Sequence, residues 1–235
     1  MQKMKYVMLS TLFLSLGMFT SCNKPSYDVM VVGVDHKTFK ETEILIQNMS
    51  KQMIDNLPFY TGQIGNKKVV VAESDFGMSE AAMMTTIGIK HFNPKVVISE
   101  GSAGGHHEDI HLYDIVLGKD LLDMSSYHGD VSDVENWELQ NPTLHSDEEL
   151  LEKAGKIENK YSGVVKPNGV IASSDAWNTS VDFVNKLHKK FKEDCEEMEA
   201  YAVANVCEYY HIPSLSIKMI SNNLITEEKY DAKVC

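Results

Sequence analysis

The segment "DVMVVGV", Asp28 to Val34, is apolar at almost every position, rich in valine, and carries a glycine near its end. A strand with one wet face alternates apolar and polar residues; an unbroken run like this one has to be covered on both faces. That requirement points to an interior strand of an α/β sheet, and the chain repeats the theme. "PKVVISEGSAGG" (Pro94 to Gly105) reads as a central strand entering a glycine-rich loop. "YDIVLGKDLLD" and "SGVVKPNGVIASSDAW" are further strands, and "IPSLSIKMIS" is the last one, turning at Asn222. "YTGQIGNKKVVVAES" reads as two strands joined at a Gly-Asn turn.

Helical spacing separates these runs. "KETEILIQNMSKQM" sets Ile44, Ile46 and Met49 near one face, and "GMSEAAMMTTIGIKHF" predicts a helix capped near Ser79. "DEELLEKAGKIENKY", "SVDFVNKLHKKF" and "EMEAYAVANVCEYY" are helical too, whereas the polar stretch from Ser125 to Asp147 has no period. Strands alternating with helices predict a single three-layer α/β/α domain around a central twisted mixed β-sheet.

The first residues have another character. Lys3 and Lys5 precede an apolar run that closes on Phe19-Thr20-Ser21-Cys22, the pattern of a secretory signal with a lipobox-like end. The expectation is a signal peptide over 1–21, lipidation at Cys22, a tether over 22–27 and one domain over 28–235. Such a protein would sit outside the cytoplasm, in the periplasm or outer membrane, with the membrane as partner through its lipid anchor. The net charge of −12 argues against nucleic acid and against a polybasic membrane patch. All 22 basic residues are lysines, so a phosphate site would lack its usual bidentate clamp. Cys195, Cys207 and Cys235 fit no zinc spacing, and a Cys195–Cys207 bond stays open. "HHEDIH", His106 to His111, reads as a polar surface loop rather than a metal site. No metal and no organic cofactor are expected.

Ligands of open α/β sheets bind beyond the carboxyl ends of the strands. Four strand ends here carry unusual residues: "GVDHKTFKE", "SEGSAGG", "SSDAWNTS" and "MISNN". Gly101, Gly104 and Gly105 allow close backbone approach, and Ser102 adds a hydroxyl. This glycine-rich stretch lacks both the dinucleotide spacing and the lysine of a phosphate loop.

Taken together and in order, "SEGSAGG", "DAWNTS", "EEMEAYAVANVC" and "KMISN" resemble the purine nucleoside phosphorylase/hydrolase superfamily. Within it the chain is most similar to the 5′-methylthioadenosine/S-adenosylhomocysteine nucleosidases, from about Asp28 to Asn223. The resemblance implies a purine nucleoside as ligand and a homodimer as the assembly. It places Ser102, Ala103 and Gly104 beside ribose and base, Trp177 and Asn178 at the base, and Met198 beneath the sugar. Glu199 would accept the 2′ and 3′ hydroxyls, which a carboxylate is suited to do. A glutamate after the first strand would activate water; here Glu41 fits, with Glu43 as rival.

After the last strand the nucleosidases carry a Ser-Asp pair whose acid protonates the leaving purine, and this chain has Ser221-Asn222. An amide donates a hydrogen bond but delivers no proton. The exchange leaves three readings: a 6-oxopurine preference, a slow adenine-nucleoside hydrolase, or a binding protein without turnover. The missing arginines weigh against the phosphate-dependent alternative.

Overall fold

The computed structural model describes residues 26–34, 45–160 and 162–231. Strand β1 (Val29–Val34) is interior as its composition requires, flanked in parallel by β4 (Lys67–Ser74) and β5 (Val97–Gly105). The main sheet runs β11 (Cys195–Glu197), β10 (Val165–Ser173), β6 (Ile115–Asp123), β12 (Ser214–Asn223), β5, β1, β4, β3 (Leu57–Ile64), β2 (Gln47–Ile54). It is mixed: β12 runs parallel to β5 and antiparallel to β6. Strand β11 pairs with β10 on one side and with the end of β5 on the other, curling this half of the sheet into a closed ring. That closure brings the ends of β5, β11 and β12 together.

Helices cover both faces. On one side α1 (Met78–Phe92) and α4 (Ala200–Tyr210) bury Met84, Phe92, Val203 and Cys207 against Met30, Val32, Phe59 and Val70. On the other, α2 (Glu148–Ala154) packs Leu151 on Leu117 and Leu215, and α3 (Val181–Phe191) packs Leu187 on Leu122 and Ala172. The polar stretch holds short elements only, a two-strand ribbon of β7 (Tyr127–His128) and β8 (Glu138–Leu139) and the strand β9 (Leu144–His145).

Several expectations are corrected. The helix expected through Met53 is a strand from Gln47 onward, antiparallel to β3. A two-residue turn at Asp55-Asn56, both at positive φ (51° and 66°), pairs Ile54 with Leu57. That turn twists with the strands it joins, so pairing prevails over a weak helical period. Helix α2 stops at Ala154, well short of Tyr161. The cap of α1 does not come from Ser79: the amides of Gly77 and Met78 donate to the distant side chains Glu199 Oε1 (3.1 Å) and Asp175 Oδ1 (2.8 Å). The glycine-rich "loop" and the "turn" at Asn222 are both strand, because β5 and β12 pair through Gly105 and Asn223. Cys195 and Cys207 are free and buried.

Candidate active site

A solvent-open cleft lies at the carboxyl ends of β5 and β12. Ser102, Ala103 and Gly104 enter it from β5, and Ser221 and Asn222 from β12. The short β11 and the turn into α4 contribute Glu196, Glu197, Met198 and Glu199. Phe76, Ala176, Trp177 and Tyr230 form its rim.

Register explains the convergence. Ile220 stands opposite Ala103 and Asn222 opposite Gly104, so Ser221 is an extra residue, a bulge that re-aims the amide next to it. Gly104 also stands opposite Glu196 of β11. The Ser221 hydroxyl lies 3.3 Å from the Ala103 carbonyl and 3.1 Å from Asn222 Oδ1. With its oxygen accepting there, Asn222 presents its amide nitrogen as a donor.

Glu197 and Glu199 of the cleft wall belong to a buried charge cluster. Lys218, fully enclosed, places Nζ 2.7 Å from Glu197 Oε2 and 3.9 Å from Glu199 Oε2. These are ion pairs rather than aligned hydrogen bonds. Burial would discharge Lys218, but the two carboxylates outweigh it and raise its pKa. Glu197 also accepts from the Glu199 and Ala200 amides (3.1 and 2.8 Å) and from the Ser173 hydroxyl. It therefore caps α4 from the preceding strand. Burial pushes the Glu199 carboxyl up to about 7; Lys218 opposes this and Glu197 adds to it.

The cleft also has an aromatic and amide-rich part. Trp177 is 60% exposed and meets Tyr230 edge-on, ring centroids 6.1 Å apart. Glu196 accepts from the Asn178 backbone amide (3.1 Å) and side-chain amide, and from His106 Nε2 at 3.3 Å. His106 Nδ1 in turn lies 3.0 Å from Glu193 Oε1, in a pair excluded from water. Burial disfavours the imidazolium, but hydrogen bonds to Glu193 and Glu196 outweigh it and lift its pKa to about 9.

Of the residues singled out in sequence, Ser102, Ala103, Gly104, Trp177, Met198, Glu199, Ser221 and Asn222 all line the one cleft. Asn178 stands behind it, holding Glu196. Glu41, Glu43 and Cys22 lie outside the described residues. "HHEDIH" is not a surface loop at its start: His106 is buried and His107 pairs with Asp194 at 2.9 Å. Among the described residues no group of three His, Cys, Asp or Glu side chains is arranged to hold a metal. Phe76, Glu196, Glu197, Lys218 and Tyr230 went unread as site residues. Only the acids carry a sequence signal, and acids at the start of a helix are ordinary partners of its dipole.

The sequence matches the profile of the Phosphorylase superfamily over residues 31–233. It is 30% identical over 200 residues to a 5′-methylthioadenosine/S-adenosylhomocysteine nucleosidase of Staphylococcus haemolyticus, covering 82% of this chain and 86% of that protein. The structure superposes with TM-score 0.72 on the corresponding nucleosidase of Neisseria meningitidis in complex with methylthio-immucillin-A, at 25% identity, covering 84% and 87% of the two chains. A Helicobacter pylori nucleosidase variant with aspartate changed to asparagine, holding 5′-methylthioadenosine in its active site, gives TM-score 0.74 at 24% identity over 85% and 86%.

These relatives overturn the expected location. They are nucleosidases matched along most of their length, and none is described as a lipoprotein or a membrane-anchored receptor. Residues 1–25 lie outside the described part, and no described helix is long and apolar enough to cross a membrane. With its profile match, its relatives and its fold in agreement, the chain belongs to the Phosphorylase superfamily.

Proposed function

We propose that this protein is a purine nucleosidase that hydrolyses the N-glycosidic bond of its substrate. The observation that carries the reading is one cleft lined by a flat exposed aromatic, an amide and a buried carboxylate. Trp177 stacks on the base, whose π-face suits an indole. Met198 lies beneath the sugar, and Glu199, ionised, accepts its hydroxyls and stabilises the positive charge that grows as the bond breaks. Asn222 donates to the departing base, and Ser102 to Gly104 line the path between base and sugar. Glu41 is assigned to water activation, since its segment follows β1, the neighbour of β5.

The assembly in this reading is a homodimer. Phe76, 69% exposed at the cleft rim, marks the side on which a second copy would cover the 5′ end of the sugar.

The test is base release from methylthioadenosine, S-adenosylhomocysteine, adenosine, inosine and guanosine, with and without phosphate. Free base and free sugar without phosphate are expected. A strict phosphate requirement would replace hydrolysis by phosphorolysis, and no release from any of the five would reject the enzyme.

A further inference from the structure

We propose that Tyr113 is a positioning residue of the cleft: through Asp231 it latches the segment Leu224–Asp231 onto the end of β12, which fixes Asn222 and sets Tyr230 across from Trp177. This rests on the nucleosidase reading above and adds the device that holds its site in shape.

The end of β12 lacks a neighbour on one side. Its pairing with β6 covers Ser216 to Met219, so the bulge at Ser221 and Asn222 runs on beyond that partner. The segment after Asn223 turns back and takes the place. The Asn223 amide donates to the Glu228 carbonyl and the Asp231 amide donates to the Ser221 carbonyl, both at 2.9 Å. Both residues that flank Asn222 are thus held by one segment. Tyr230 lies between the two anchor points, at the cleft rim and edge-on to Trp177.

What holds the segment is polar. None of its residues is fully buried. Glu228 Oε2 accepts from the Leu112 amide (3.3 Å) and the Thr226 hydroxyl (2.8 Å), and Asp231 Oδ2 accepts from the Tyr113 phenol. A segment with little buried apolar surface has low local stability, so losing one such contact shifts it from closed towards released.

Tyr113 is placed for this contact at a cost. Its backbone stands in the left-handed region (φ 70°), which a bulky aromatic residue occupies only when its surroundings force it. The Tyr113 amide donates to the Ile220 carbonyl (3.0 Å), and its carbonyl accepts from Asn159 Nδ2 (3.1 Å). Gly163 packs so closely that a Cβ there would come within 2.2 Å of the Tyr113 oxygen. Three segments therefore impose one unfavourable conformation, the one that aims the phenol at Asp231. A turn with no further task would be served by glycine or asparagine.

The experiment measures kcat and KM for the five nucleosides above in the wild type, Tyr113→Phe, Asp231→Ala and the double variant. Acrylamide quenching of tryptophan fluorescence, without substrate, accompanies the rates. Trp137, the other of the two tryptophans, is buried against Tyr127, so quenching reports Trp177. Substrate binds the closed cleft, so a smaller closed fraction raises KM and leaves the rate at saturation. We expect KM to rise about three- to tenfold in each single variant, the worth of one hydrogen bond, with kcat little changed. The double variant should match the single ones, because both remove the same contact. Quenching should rise towards that of Tyr230→Ala. Circular dichroism checks the fold, and Asp231→Ala tests the latch should Tyr113→Phe fail to fold. Unchanged KM and quenching in a folded variant, or a double variant whose KM effect is the product of the two, overturns the latch and leaves the nucleosidase standing. No turnover and no nucleoside binding in the wild type rejects the nucleosidase, and quenching still decides the latch.

Discussion

The Lys218 ammonium lies 3.9 Å from Glu199 Oε2, with both side chains closed off from bulk water. The acid assigned to the sugar therefore has one buried cation to hold its charge, shared with Glu197. Burial still lifts Glu199 to about 7. Below that pH it is a neutral acid and a poorer acceptor for two hydroxyls; above it, an anion facing a developing cation. We expect kcat/KM to rise with pH through a midpoint near 7, measured between about pH 5.5 and 8.5, since this parameter reports the free enzyme. Glu199→Gln should flatten the profile at a low level. Stability runs the other way: the upward shift favours the fold below the ordinary glutamate range and is lost as pH passes about 7.

Lys218→Met removes the cation and leaves both acids. Breaking a buried pair from one side typically costs about 3–5 kcal/mol, because the uncompensated charge remains. Thermal melts should show a loss of that order at neutral pH and less in acid, where the carboxyls protonate. Without Lys218 opposing burial, the activity midpoint should also move to higher pH. An unmoved midpoint in a folded variant would show that Glu199 does not govern the profile.

His106 makes the opposite case. Burial opposes its charged form, but the hydrogen bonds it donates to Glu193 and Glu196 outweigh burial and raise its pKa from 6.5 to about 9 in the fold. The pairing therefore stabilises fully below about 6.5 and is lost as pH climbs through about 9, a swing of about 3 kcal/mol. Melting temperature should fall across that window in the wild type. His106→Gln should melt lower near neutrality and show a flatter slope; equal slopes would remove His106 from the account.

The strand ends that carry the cleft were readable because their residues are locally odd: glycines and a serine after a valine run, a tryptophan among small polar residues, an amide after "KMIS". Lys218 was not readable. It is one lysine among 22 basic residues, and its burial depends on Glu197 and Glu199, beyond a chain crossover. His106 was hidden for the same reason, since Glu193 is 87 residues away along the chain. The strand at Gln47–Ile54 was misread because three apolar residues mimicked a helical face. The decisive Asp55-Asn56 turn lies just beyond those residues.

Asn222→Asp restores an acid where the leaving base is assigned. General acid catalysis contributes typically ~10²–10⁴-fold, and adenine is the base that depends on N7 protonation for departure. Adenosine and methylthioadenosine cleavage should rise by at least the lower part of that range, measured as kcat under saturating substrate. No gain for adenine nucleosides, with binding intact, would mean that the missing proton donor is not what limits turnover.

Gly104→Ala probes the gap between Asn222 and Glu196 directly. The new methyl would meet its nearest neighbours at 3.5, 3.7 and 3.9 Å, ordinary van der Waals distances. Its position within β5 is one that alanine adopts, so the melting temperature should stay close to that of the wild type. The methyl nonetheless narrows the cleft beside Asn222, the residue assigned to the base. Excluding or misfitting a group of this size is worth roughly tenfold or more in kcat/KM. We expect KM to rise for every nucleoside that is cleaved. Unchanged kinetics in a folded Gly104→Ala would place the base elsewhere in the cleft and remove the register of β5, β11 and β12 from substrate recognition.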